Sequence, residues 1–100
     1  MQLNERQKKH LRGLAHKLRP VVMVGQHGLR ETVLDEVEQA LTAHELIKVK
    51  VSIGDREDRD EIIQSICDET RAILIQRVGN IATLFRRNNK KPKIDLKISV

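Results

Sequence analysis

Residues 20–41 read PVVMVGQHGLRETVLDEVEQAL. Val21, Val22, Met23 and Val24 form an unbroken apolar run, the pattern of a short strand covered on both faces. Gly25 and Gly28 then bracket Gln26 and His27. From Leu29 the apolar residues fall at Val33, Leu34, Val37, Ala40 and Leu41, which is helical spacing. A strand that turns through glycines into a helix brings unpaired backbone N–H groups and the positive end of the helix dipole to one place. Such a place suits a phosphate, and glycine leaves the backbone open to it. A lone Gly-x-x-Gly also occurs in ordinary strand–turn–helix junctions, so the reading depends on the rest of the chain.

Upstream, residues 4–18 read as a helix. Asn4 and Gln7 have the spacing of a capping box, Leu11, Leu14, Ala15 and Leu18 give an apolar face, and Lys8, Arg12, His16 and Arg19 give another, basic one. Gly13 weakens this helix by about 1 kcal/mol relative to alanine. Pro20 ends it and leads into the strand. Downstream, a second helix over residues 30–44 carries Glu31, Asp35, Glu36 and Glu38. Residues 46–53 alternate Ile47, Val49, Val51 and Ile53 with Lys48, Lys50 and Ser52, a half-buried strand with one basic face.

The acidic stretch GDREDRDE, residues 54–61, lacks the spacing of a calcium loop, and Arg56 and Arg59 would oppose a cation. It reads as a turn and a helix start, with Asp58 and Glu61 spaced as a capping box. A third helix over residues 58–70 has Ile62, Ile63, Ile66 and Cys67 on its apolar face, making Cys67 a core residue. Residues 72–78 and 81–86 are two more strands joined by a Gly79-Asn80 hairpin turn. The expected fold is a two-layer α/β domain, an N-terminal helix followed by β-α-β-α-β-β, with a mixed four-stranded sheet: parallel where helices cross over, antiparallel at the hairpin.

The 100-residue chain is expected to be one domain, residues 1–87, with a basic tail over 88–100 that adds at most a short edge strand. One cysteine excludes an internal disulfide. No run approaches a bilayer span and the charged N-terminus lacks a secretory apolar region, so a soluble cytoplasmic monomer is expected, without membrane, cofactor, metal or small-molecule substrate. Residues 1–19 hold six Lys/Arg against Glu5, residues 86–100 hold six against Asp95, and the middle is net acidic. Two basic ends suit a polyanion. Phe85 is the sole aromatic, so no platform for stacked bases exists and recognition rests on phosphates and shape.

The four histidines lack metal-ligand spacing, and neither a nucleophile elbow nor a Walker sequence is present, so no enzyme is expected. Two alternatives from other classes are a DNA binder and a protein adapter docking through the acidic second helix.

The segments LRGLAHKLRPVVMVG, the Gly-x-x-Gly loop with its following helix, HELIKVKV and GNIATLFR, in this order, resemble the YhbY family, the stand-alone bacterial form of the CRM domain (chloroplast RNA splicing and ribosome maturation). The resemblance implies a fold similar to the C-terminal domain of bacterial translation initiation factor three, with a loop like that of KH domains. It implies non-catalytic binding of ribosomal RNA and a part in maturation of the large ribosomal subunit, whose precursor is then the partner. Carried over by position, it places Gly25, Gln26, His27 and Gly28 in the RNA-contacting loop and Lys48 and Lys50 on the basic strand. KH loops commonly hold a basic residue between the glycines, where this chain has Gln26-His27. Around the loop, the charges expected to neutralise phosphates are Arg30, Lys8, Lys9, Arg12, Arg19, Arg86 and Arg87.

Overall fold

The computed structural model describes residues 1–97. The elements are α1 (Glu5–Ala15), β1 (Pro20–Val24), α2 (Glu31–His44), β2 (Leu46–Val51), α3 (Arg56–Thr70), β3 (Ile73–Val78) and β4 (Ile81–Phe85). The strand order is β1-β2-β4-β3. β1 runs parallel to β2, as the α2 crossover requires, and β4 is antiparallel to both β2 and β3. The second crossover, through α3, does not bring β3 beside β2. The hairpin instead inserts β4 between them. Gly79 opens the hairpin turn at φ +61, the sign a type II′ turn needs at its first central position.

Strand alternation sorts the core into two clusters. Val22, Val24, Ile47, Val49, Val51, Ala82 and Leu84 face α2 and α3, meeting Val37, Leu41, Ile63, Ile66 and Cys67. On the reverse face Leu46, Ile75 and Phe85 meet Leu11 and Ala15 of α1 and Leu96. The expected two layers are thus the sheet with α2 and α3, and α1 adds a partial third layer on the other face. Each fully buried Leu, Ile or Phe contributes roughly 1.5–3 kcal/mol of transfer free energy.

Local signals explain most boundaries. Asn4 and Gln7 form the expected reciprocal capping box at the start of α1. The helix ends at Ala15, earlier than its periodicity suggests, as the chain tightens into i→i+3 turns through His16 N–H to Gly13 O and Leu18 N–H to Ala15 O; Pro20 bars helical geometry only at Arg19. The cap of α3 lies one turn before the predicted one: Asp55 is the N-cap and Asp58 its reciprocal partner. Asp55, Asp58 and Glu61 stand three apart, so both placements fit the sequence, and the turn at Gly54 (φ +63) selects the first.

β1 is not covered on both faces. It is an edge strand, with Val22 and Val24 buried but Val21 54% and Met23 62% exposed. Register shifts at Val21 in β1 and at Ile75 in β3 break the pairing pattern along both edges, a feature that discourages further strand addition.

Residues 88–97 contain no strand. They fold back onto the domain, with Ile94 and Leu96 packed in the α1 cluster and the Gln7 side chain donating to Leu96 O at 3.4 Å. Residues 98–100, the remainder of the expected edge strand, lie outside the described residues.

Candidate nucleic-acid interface

The Gly-x-x-Gly segment is a tight turn at the C-terminal end of β1, closed by Gly28 N–H donating to Gly25 O at 2.9 Å. Gly28 sits at φ +73, which L side chains rarely adopt. Gly25, Gln26 and His27 are exposed, and a Cβ built at either glycine meets nothing within 4 Å. The loop backbone is therefore open to solvent. Ser52 N–H donates to Val24 O at 2.9 Å and Val51 N–H to Asn80 O at 2.7 Å, fixing the ends of β1 and β2 and the hairpin turn together beside it.

The turn delivers the chain to α2, whose N-cap, Arg30, makes no side-chain capping bond. Arg30 O accepts from Val33 and Leu34 N–H, which leaves the N–H groups of Glu31 and Thr32 pointing out of the helix end with no intrahelical acceptor. α1 and α3 both begin with capping boxes. Among the three helices, the one that follows the glycine turn is the one whose start is open. The start of α2 thus presents unpaired N–H donors at the positive end of the helix dipole.

Lys48 and Lys50 project from the sheet face opposite α2 and α3, both half-buried. Lys50 is in register with Met23 and Ile81, two residues before the loop on the neighbouring strand; Lys48 is in register with Pro20 and Thr83. Lys9 and Arg19 are exposed, while Lys8 and Arg12 are half-buried on the flank of α1. α1 packs against Leu46, Ile73, Ile75 and Phe85, at the end of the sheet away from the loop, so its charges and the loop do not converge on one point.

Arg86 and Arg87 differ from the exposed members of the expected set because several internal acceptors, backbone carbonyls among them, occupy their guanidinium groups. Arg86 Nη1 donates to the Glu38 carboxylate at 2.7 Å and to Thr70 O at 2.9 Å, and its Nη2 to Thr42 Oγ1 at 3.0 Å. Arg87 Nη1 donates to Ile94 O at 2.7 Å and to the carboxylate of Glu45, with its guanidinium 5.9 Å from the Phe85 ring centroid. Both tie elements of this chain together. Phe85 itself is fully buried and presents no face to a base.

Glu45 is the residue the sequence reading missed. It ends α2 at φ +63, fully buried, and its carboxylate accepts from Asn88, Lys93 and Ile94 N–H at 2.7, 2.6 and 2.8 Å as well as from Arg87. Burial alone raises its pKa, but those three amides and the guanidinium outweigh it and hold the group below the ordinary glutamate value. Cys67 is buried as expected, and desolvation, then the Asp68 charge, push its thiol up to about 11. Among the described residues no group of three or more His, Cys, Asp or Glu could hold a metal ion, and no helix is long and apolar enough to cross a membrane.

Residues 3–86 match the family model described as CRS1 / YhbY (CRM) domain. The chain belongs to the CRM domain family. A Haemophilus influenzae protein named an RNA-binding protein is 51% identical to this CRM domain, covering 94% of each chain. A Pseudomonas aeruginosa protein named a probable RNA-binding protein is 42% identical, covering 93% of this chain and 89% of the relative. The solution structure of a Staphylococcus aureus protein, described as a candidate RNA binder, superposes with a TM-score of 0.77 at 30% identity, covering 94% of this CRM domain and all of that chain.

Proposed function

We propose that this CRM domain is a non-catalytic RNA-binding protein that binds ribosomal RNA in the cytoplasm and assists maturation of the large ribosomal subunit. The observation that carries the reading is the exposed Gly25–Gly28 turn feeding the uncapped start of α2. The RNA backbone approaches the turn, a phosphate accepts from the open N–H groups at Glu31 and Thr32, Arg30 precedes them in the chain, and Lys50 offers a further charge from the sheet face opposite α2. Lys48 extends this surface along β2. Arg86 and Arg87 hold the fold. The names of the relatives, all RNA-binding proteins, support the reading at the level of the polymer bound. The ribosomal target rests on the family resemblance.

Gly25→Asp is the direct test. Its Cβ meets nothing in this chain, so the domain stays folded while a carboxylate enters the phosphate path. Affinity for transcribed large-subunit ribosomal RNA should fall at least tenfold, with an unchanged melting curve. Wild-type affinity in the folded variant removes the loop from the interface. For the biological target, the protein should sediment with particles lighter than the mature large subunit and crosslink to their RNA. Tighter binding to duplex DNA than to that RNA would favour the DNA alternative.

A further inference from the structure

We propose that the groove between the C-terminal end of α1 and the edge strand β1 docks an acidic, amphipathic helix of another protein. The proposal goes beyond RNA binding and uses a surface at the end of the sheet away from the glycine turn. Periodicity puts Leu11, Leu14, Ala15 and Leu18 on one apolar face of α1. The fold uses only part of that face: Leu11 and Ala15 are fully buried, whereas Leu14 and Leu18 remain 43% and 38% exposed. Val21 of β1, 54% exposed, joins them around a groove of about 500 Å³ that also reaches the buried Leu46. Met23, on the same face of β1 as Val21, continues the apolar surface along the strand. Residues of α1, β1, α2 and β2 line the groove, so its shape belongs to the tertiary fold. Apolar surface left open at such a concavity marks a site of association.

Two features select the occupant. The apolar lining is aliphatic, so it gains by burying apolar side chains and offers no ring on which a base could stack; Phe85, the sole aromatic, is fully buried. A protein segment therefore suits the groove better than RNA. The second feature is charge. Lys17 and Arg19 stand at the groove with His44, the last residue of α2, and among the described residues no carboxylate lines it. A short helix with large apolar residues at i, i+3 or i+4 and i+7 fills such a groove, and Glu or Asp on its flanks meets the cations. The same cations reject a basic partner. They also reject a second copy, because pairing the groove with itself sets the Lys17 and Arg19 of each copy against those of the other. Nor does the acidic face of α2 fit: between its acids it exposes Thr32, Gln39, Thr42 and Ala43, with no large apolar anchor.

Peptide display against the intact protein tests this. A library of random peptides is selected on wild type and counter-selected on Leu18→Gln, whose exposed position should leave the melting curve unchanged. Enriched sequences should place Leu, Ile, Met or Phe at helical spacing among Glu and Asp. A synthetic peptide of that sequence should bind Leu18→Gln about tenfold more weakly than wild type, the loss of one apolar anchor. Val21→Thr, which keeps a β-branched side chain in the strand, should act in the same direction. Lys17→Glu should weaken the peptide about threefold through charge alone. Affinity of Leu18→Gln for transcribed large-subunit ribosomal RNA should match wild type. Selection of basic sequences, or of none that distinguishes wild type from Leu18→Gln, overturns the docking site. So does a loss of RNA affinity in Leu18→Gln, which gives the groove to RNA, or a wild-type dimer that Leu18→Gln abolishes, which gives it to a second copy. RNA binding through the glycine turn is read separately from Gly25→Asp and stands or falls on its own.

Discussion

Glu45 does several jobs with one side chain. Its backbone closes α2 at positive φ and accepts Arg86 N–H at 2.9 Å, and its buried carboxylate gathers the segment after β4. Glu45→Gln places an N–H₂ against amides that already donate, and should cost about 2–4 kcal/mol in urea denaturation. The pH dependence has a definite sign. A carboxylate held below its ordinary value stabilises the fold fully above the unfolded pKa, near about 4.3, and that contribution is lost as pH falls through the folded value. Wild type should lose stability below pH of about 4.3 more steeply than Glu45→Gln. Nothing in the sequence announces this residue. Its acceptor role depends on partners 42 to 49 positions away, and a glutamate between a helix and a strand resembles any solvated linker residue.

Helix starts show how far local pattern reaches. The Asn4–Gln7 box was legible because a single pair fits. Around α3 three acids fit, and the structure chooses Asp55. Asp55→Ala should therefore cost about 1 kcal/mol, while Glu61→Ala, on an exposed interior turn, should stay within about 0.5 kcal/mol; equal losses would restore the later cap. The open start of α2 gives a sharper pair. Arg30→Asn and Arg30→Gln remove the same charge, but only Asn can cap. Arg30→Asn should be more stable than Arg30→Gln by up to about 1 kcal/mol, and should bind RNA more weakly because the cap competes with phosphate for the same N–H groups. Equal affinities would remove those N–H groups from the interface. The strand alternation of β2 placed Lys48 and Lys50 on one face without further help. The apolar run of β1 misled, because an edge strand with exposed Val21 and Met23 has the same composition as a buried one.

The molecule as a whole carries its excess positive charge at its two chain ends, and folding places both of those ends against the same reverse face of the sheet through Leu11, Ile94 and Leu96. A chain ending at Arg87 would leave the Glu45 carboxylate without three of its amide donors, and should lose roughly 3–5 kcal/mol, read as a lower urea midpoint; an unchanged midpoint would mean the following segment adds nothing to the domain. The order of strands has one more consequence. β4, the last strand among the described residues, sits inside the sheet and pairs on both sides. As the chain is synthesised, β1 and β2 emerge first as a two-stranded fragment with the inner edge of β2 unpaired, and that edge stays open until β4 has followed α3 and β3. Such a protein folds late on the ribosome, and prematurely ended products expose a strand edge that invites aggregation.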